Sequence, residues 1–177
     1  MQADSNLDES TPSLYFDVEP LGWRWFAGVP RYASRLCLAL KASGANLRFV
    51  HGHDELDPLP NISWSQDQDL ELWARKIWHG TRKPLETPPA NSMVLFSGVR
   101  PSLERVFPFE VNILYDLCPT LVPSTFPVAA RWAFEQYFTE DILKSDYALS
   151  ISHSTKADAA WLSPMPQDRI KVSHPGM

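Results

Sequence analysis

Two cysteines, Cys37 and Cys118, are all that 177 residues contain, and their separation matches neither a metal knuckle nor a Cys-x-x-Cys redox pair. Both are expected as reduced thiols, Cys37 within an apolar helical run and Cys118 after a strand. Glycine is equally scarce, with seven residues; Gly-x-Gly-x-x-Gly is absent, as is the phosphate-cradling Gly-x-x-x-x-Gly-Lys-Ser/Thr. No segment approaches the roughly 18 consecutive apolar residues of a membrane span. The first ten residues are polar and acidic, without the basic start and apolar stretch of a secretion signal. No run of Lys or Arg tracks a phosphate backbone, and the formal net charge is −5, so nucleic acid is not an expected partner. Repeats and low-complexity tracts are missing too.

What is present suits one ordinary domain: 44% apolar residues can fill a sizeable core without disulfides or metal. Seven Trp and nine Phe, most at helical or strand spacing, are expected to pack in that core. Residues 1–12 have little to bury and read as a disordered tail, leaving 13–177 as the folded domain. Strands are expected over 14–18, 47–51, 92–97, 111–115, 147–152 and 170–172. The strands are short apolar runs, as expected where helices cover both faces of a parallel sheet. Between them, Val29, Tyr32, Ala33, Leu36, Cys37 and Leu40 mark one face of a helix over 29–42, with Pro30 in its first turn and Gly44 as its stop. Leu70, Trp73, Ala74 and Ile77 mark a second helix over 67–78. A third, over 127–142, turns Ala130, Ala133, Phe134, Tyr137 and Phe138 inward, and a short one spans 155–161. Residues 83–90 read as a Pro-rich link. The fold class is α/β, a Rossmann-like, mostly parallel sheet with helices on both faces.

Ligands of such sheets collect outside the carboxyl ends of the strands. Five loops lie there: 22–28, 97–98, 116–119, 152–154 and 174–176. Gly28 precedes a helix start, where free amides and the dipole attract phosphate or carboxylate, though a glycine there can also serve only the turn. Arg24 and Arg31 bracket it and could supply charge. Asp116 ends a buried strand; it either organises the local loops or faces a polyhydroxyl ligand. Tyr115 stands beside it, directed to the cleft or the core. Ser152 ends a strand, and Ser154 or Thr155 is the expected helix cap. His153 and His174 could form an acid–base pair, but no nucleophile with an orienting carboxylate can be assigned around them. His51 and His53 with Asp54 have metal-like composition; a structural site needs about four ligands, so no metal is expected.

In order and spacing, three stretches carry a family likeness. They are 26–36, with Gly28, Arg31 and Tyr32 at a helix entry; 113–119, with Asp116, Leu117 and Pro119 at a strand end; and 148–158 with 168–176. Over residues 14–177 the chain resembles the N-terminal domain of retaining, nucleotide-sugar-dependent glycosyltransferases of the two-Rossmann-domain (GT-B) architecture. The likeness is to the large family four, which includes bacterial polysaccharide mannosyl- and glucosyltransferases. The resemblance implies one half of a GT-B fold, lacking the C-terminal donor-binding domain, as does a strand over 170–172 that runs into a proline–glycine turn. It also implies transfer of a hexose from a UDP- or GDP-sugar to a saccharide or lipid-linked acceptor, with retention. No cofactor beyond the donor is implied, and the setting is cytoplasmic, with peripheral contact to the inner face of the membrane left open. Gly28 would approach the donor diphosphate and Asp116 would shape the acceptor side. Tyr115 stands where the family commonly carries a sugar-contacting His. The glutamate pair that binds the donor belongs to the other half, so residues 1–177 alone are expected to be inactive. The alternatives are a non-catalytic Rossmann-like interaction domain and another sugar-nucleotide enzyme.

Overall fold

The computed structural model describes residues 12–57, 67–98, 100 and 104–175. The tail expected over 1–12 lies outside them except for Pro12, as does Gly176 of the last rim loop.

Among the described residues eight strands form one sheet: β1 (Ser13–Asp17), β2 (Asn46–His51), β3 (Asp54–Leu56), β4 (Arg82–Pro84), β5 (Met93–Phe96), β6 (Phe109–Leu114), β7 (Tyr147–Ser150) and β8 (Ile170–Val172). Their spatial order is β4-β3-β2-β1-β5-β6-β7-β8. Pairing is parallel from β2 through β8 and antiparallel at β2–β3 and β3–β4. The chain leaves β1 towards β2 and returns on its other side at β5. That reversal is a topological switch point, and it opens a crevice at the carboxyl ends of β1 and β5.

The antiparallel extension was not legible in sequence. β3 and β4 have three residues each, too few for a period, and β4 falls on the segment expected to be a link. Gly52 makes the turn into β3 at φ +62°, a left-handed conformation that a side chain would disfavour.

Helices α1 (Gly28–Ala42), α2 (Asp67–Trp78), α3 (Cys118–Leu121), α4 (Val128–Lys144) and α5 (His153–Leu162) complete the layers. Alternation along the strands assigns the two faces. Phe16, Phe49, Leu95, Val111 and Ile113 face α1 and α2, where Ala33, Cys37, Trp73, Ala74 and Ile77 close one core cluster. On the opposite face, Leu114, Ala148 and Ile170 pack with Ile142 and Phe138 of α4 and Ala159 of α5. A third cluster joins Tyr15, Val50, Val94 and Phe96 to Phe107. Helices therefore cover both faces of a mostly parallel sheet.

Local chemistry accounts for the ends. Pro30 sits in the first turn of α1, where its missing amide costs no intrahelical bond, and Gly44 ends that helix at φ +83°. α2 runs over the expected residues, with Leu70, Trp73, Ala74 and Ile77 buried. In α4, Phe134 and Phe138 turn inward as expected, while the side chains of Ala130, Ala133 and Tyr137 lie outside the described set. α5 starts earlier than expected and is capped by Ser152, whose Oγ accepts from the Thr155 amide at 3.0 Å. Ser154 and Thr155 are inside the helix, so the cap expected at either of them is corrected.

The expectation that tryptophan fills the core is also corrected. Trp73 is buried, but Trp25, Trp132 and Trp161 are 74%, 64% and 76% exposed, and Trp23 is 38% exposed. Helical spacing does not say which side of α4 or α5 meets the sheet, since both carry apolar residues on opposite sides.

Candidate functional site

Hydrogen bonds and one aromatic contact join the carboxyl rim of the sheet from β1 to β8. Ser97, at the end of β5, donates its Oγ–H to the carbonyl oxygen of Asp17 at 2.5 Å, bridging the switch-point strands. Tyr115, after β6, donates its hydroxyl to the carbonyl of Ser97 at 2.8 Å. The carbonyl of Tyr115 accepts from Thr155 Oγ1 at 3.2 Å, which ties β6 to α5. Tyr32 of α1 meets Tyr115 edge to face, centroids 5.6 Å apart, and donates to the carbonyl oxygen of Ser173, after β8, at 3.2 Å. Burial pushes the Tyr115 phenol far above its ordinary range, with the Tyr32, Asp17 and Glu19 charges adding to the effect. Tyr115 is therefore a neutral donor at physiological pH.

Two carboxyls sit at the switch point. Asp17 is 1% exposed, and among the described residues its Oδ2 has no hydrogen-bond partner. Burial raises its pKa well above the usual carboxylate range, and the neighbouring Glu19 charge adds to this, opposed by the Glu19 amide. Glu19 accepts from Trp23 Nε1 at 2.6 Å through one oxygen. Its other oxygen packs against Gly98, where a Cβ would come within 2.3 Å of it and 2.9 Å of Pro20 Cγ. Glycine at position 98 therefore lets the β5 exit lie directly against the turn at Glu19–Gly22.

Beside this network, the N-terminal turns of α1 and the exit of β8 enclose an open groove of about 510 Å³. Its lining includes Gly28, Arg31, Tyr32, Arg35, Ser173 and His174. Gly28 is the first residue of α1, whose N-cap, Ala27, offers no side chain to the first amides. A Cβ on Gly28 would meet no atom of the described residues within 4 Å, and Gly28 lines the groove. His153 and His174 face each other with ring centroids 5.3 Å apart, which carries the rim on to α5.

Of the residues singled out in the sequence, Gly28, Arg31 and His174 line this groove together. His153 adjoins it through His174, and Tyr115 lies against Tyr32. Arg24 lies apart from the groove lining, its guanidinium over the Trp25 ring at 5.3 Å. Asp116 is exposed and accepts from the Cys118 amide at 3.0 Å, so it organises the turn into α3. Ser152 is occupied as the α5 cap. His51 ends β2 and His53 lies in the turn to β3, and no group of three or more metal-ligating side chains exists among the described residues. Asp17, Glu19 and Ser173 were missed, and Tyr32 was legible only as a residue of the helix face and helix entry, not as a rim donor. Asp17 carried a signal, an acidic residue at the carboxyl end of an apolar strand, the same pattern that drew attention to Asp116.

Among the described residues no helix is long and apolar enough to cross a membrane. Compared with protein-family models, curated proteins and solved structures, the chain finds no match.

Proposed function

We propose that this domain is the acceptor-side half of a GT-B glycosyltransferase that moves a hexose from a UDP- or GDP-sugar to a saccharide or lipid-linked acceptor with retained anomeric configuration. The observation that carries the reading is the groove beside α1, where Gly28, Arg31 and His174 meet at the carboxyl rim. Free helix amides and a guanidinium suit a diphosphate, and the glycine gives it close access. An opposing lobe would supply the remaining donor contacts. Closure would expel water and aim fixed dipoles at the developing charge of the sugar and its leaving group. On this reading the enzyme works in the cytoplasm, against the inner face of the membrane when its acceptor is a lipid.

The test compares the complete polypeptide, donor lobe included, with residues 1–177, both supplied with UDP-glucose or GDP-mannose and saccharide acceptors. Released nucleotide and a product whose anomeric centre keeps the α configuration of the donor, from the complete polypeptide only, are the expected results. Sustained turnover by residues 1–177 contradicts the two-lobe reading, and no release by the complete polypeptide contradicts transfer.

A second reading, a non-catalytic interaction domain, is favoured by one apolar stretch. Leu121, Val122, Val128 and Trp132 are exposed along α3 and the start of α4. This reading predicts a stable protein partner for the isolated domain and no nucleotide release.

A further inference from the structure

The loop between β1 and α1 is anchored from within. Val18 and Leu21 are fully buried, and Phe26 packs against the same cluster. From α2, Arg75 donates to the carbonyls of Gly22 at 3.2 Å and Arg24 at 3.1 Å. Gly22 lies so close to the Trp78 ring that a Cβ would approach it to 2.3 Å, so the backbone is seated on that indole. A loop fixed at this many points nonetheless turns two indoles outward. Trp23 is tethered by its ring N–H to Glu19, and Trp25, three residues before the helix entry at Gly28, is 74% exposed with the Arg24 guanidinium over its ring.

We propose that Trp25, with the Arg24 guanidinium over its ring, is a stacking platform for one pyranose ring of a saccharide. The inference deepens the transferase reading and rests on it for the ligand's role as acceptor. A pyranose presents axial C–H bonds on one face and hydroxyls around its edge. An indole face attracts the C–H side through dispersion and the ring quadrupole, and the Arg24 guanidinium beside it can donate to the hydroxyl oxygens. The groups suited to a diphosphate lie elsewhere on the rim: Arg31 and His174 line the groove beside α1, of which Trp25 is not part. A platform on a fixed loop loses little conformational freedom on binding.

The purified chain is titrated with methyl α-D-mannopyranoside and methyl α-D-glucopyranoside, read by saturation-transfer NMR and tryptophan fluorescence. Binding of at least one glycoside is expected, with the ring-face protons most strongly saturated. Trp25→Ala should weaken it by about tenfold and Trp25→Phe by no more than about threefold. Trp161→Ala, at an equally exposed indole near the end of α5, should leave it unchanged. Circular dichroism confirms that each variant is folded. The proposal is overturned if neither glycoside binds, if Trp25→Ala binds like the parent, or if UDP or GDP rather than a glycoside protects Trp25. Failure of the transferase reading is separate, since glycoside binding through Trp25 can stand without nucleotide release.

Discussion

The hydroxyl of Tyr115 and the carbonyl oxygen of Ser97 lie 2.8 Å apart, joining the ends of β6 and β5 beneath the rim. Tyr115→Phe removes that donor and leaves a carbonyl without it, while the edge-to-face contact with Tyr32 survives. A loss of about 1 kcal/mol is expected, read as a lower urea midpoint with unchanged slope.

Asp17 links stability to pH. Its folded-state pKa is raised by burial and by Glu19, so the folded chain holds this proton more tightly than the unfolded one. The resulting stabilisation is complete below about pH 4, the ordinary carboxylate range, and is lost as pH rises towards the folded value. Glu19, also raised by burial, acts in the same direction. Asp17→Asn should therefore be more stable than the parent at pH 7, with the advantage shrinking towards pH 4. Urea midpoints across that range check it, and an advantage that grows on acidification contradicts it.

Arg100 and Glu110 form an ion pair with both side chains buried, and the other oxygen of Glu110 accepts from the amides of Val106 and Phe107. Removing one partner strands a charge. Glu110→Ala should cost about 3–5 kcal/mol. In the double variant Arg100→Met, Glu110→Ala the loss should be smaller than the sum of the single losses, because no unpaired guanidinium remains. Chemical denaturation of the four proteins gives the coupling.

Gly22→Ala should destabilise by about 1–3 kcal/mol, since its Cβ would fall 2.3 Å from ring atoms of Trp78 and the turn must lift. Thermal unfolding followed by circular dichroism reads the loss.

What could be read from sequence was what depends on near neighbours. α2 was legible because Leu70, Trp73, Ala74 and Ile77 recur on one face of the helix, and β8 because Ile170 and Val172 flank an exposed Lys171. Gly44 announced the end of α1 through its left-handed backbone. The two-residue hop from β2 to β3 and the cap at Ser152 were not legible, because both are settled by tertiary placement. The site divides in the same way. Gly28, Arg31 and His174 could be named from strand-end positions, but their meeting in one groove needed the sheet order. The links Ser97–Asp17 and Tyr32–Ser173 span 80 and 141 residues, and no local pattern reports a bond of that kind.

Gly28→Val offers the most direct test of the central claim, that a ligand of the proposed transfer reaction comes up against the first turn of α1. Its Cβ meets no atom of the described residues within 4 Å, so the variant should unfold within about 2 °C of the parent, a change equivalent to no more than about 0.5 kcal/mol. In the complete polypeptide, nucleotide release from the donor sugar should nonetheless fall by at least about 100-fold, roughly 2.7 kcal/mol of lost transition-state stabilisation. Release at the parent rate from an equally stable Gly28→Val protein would contradict the account.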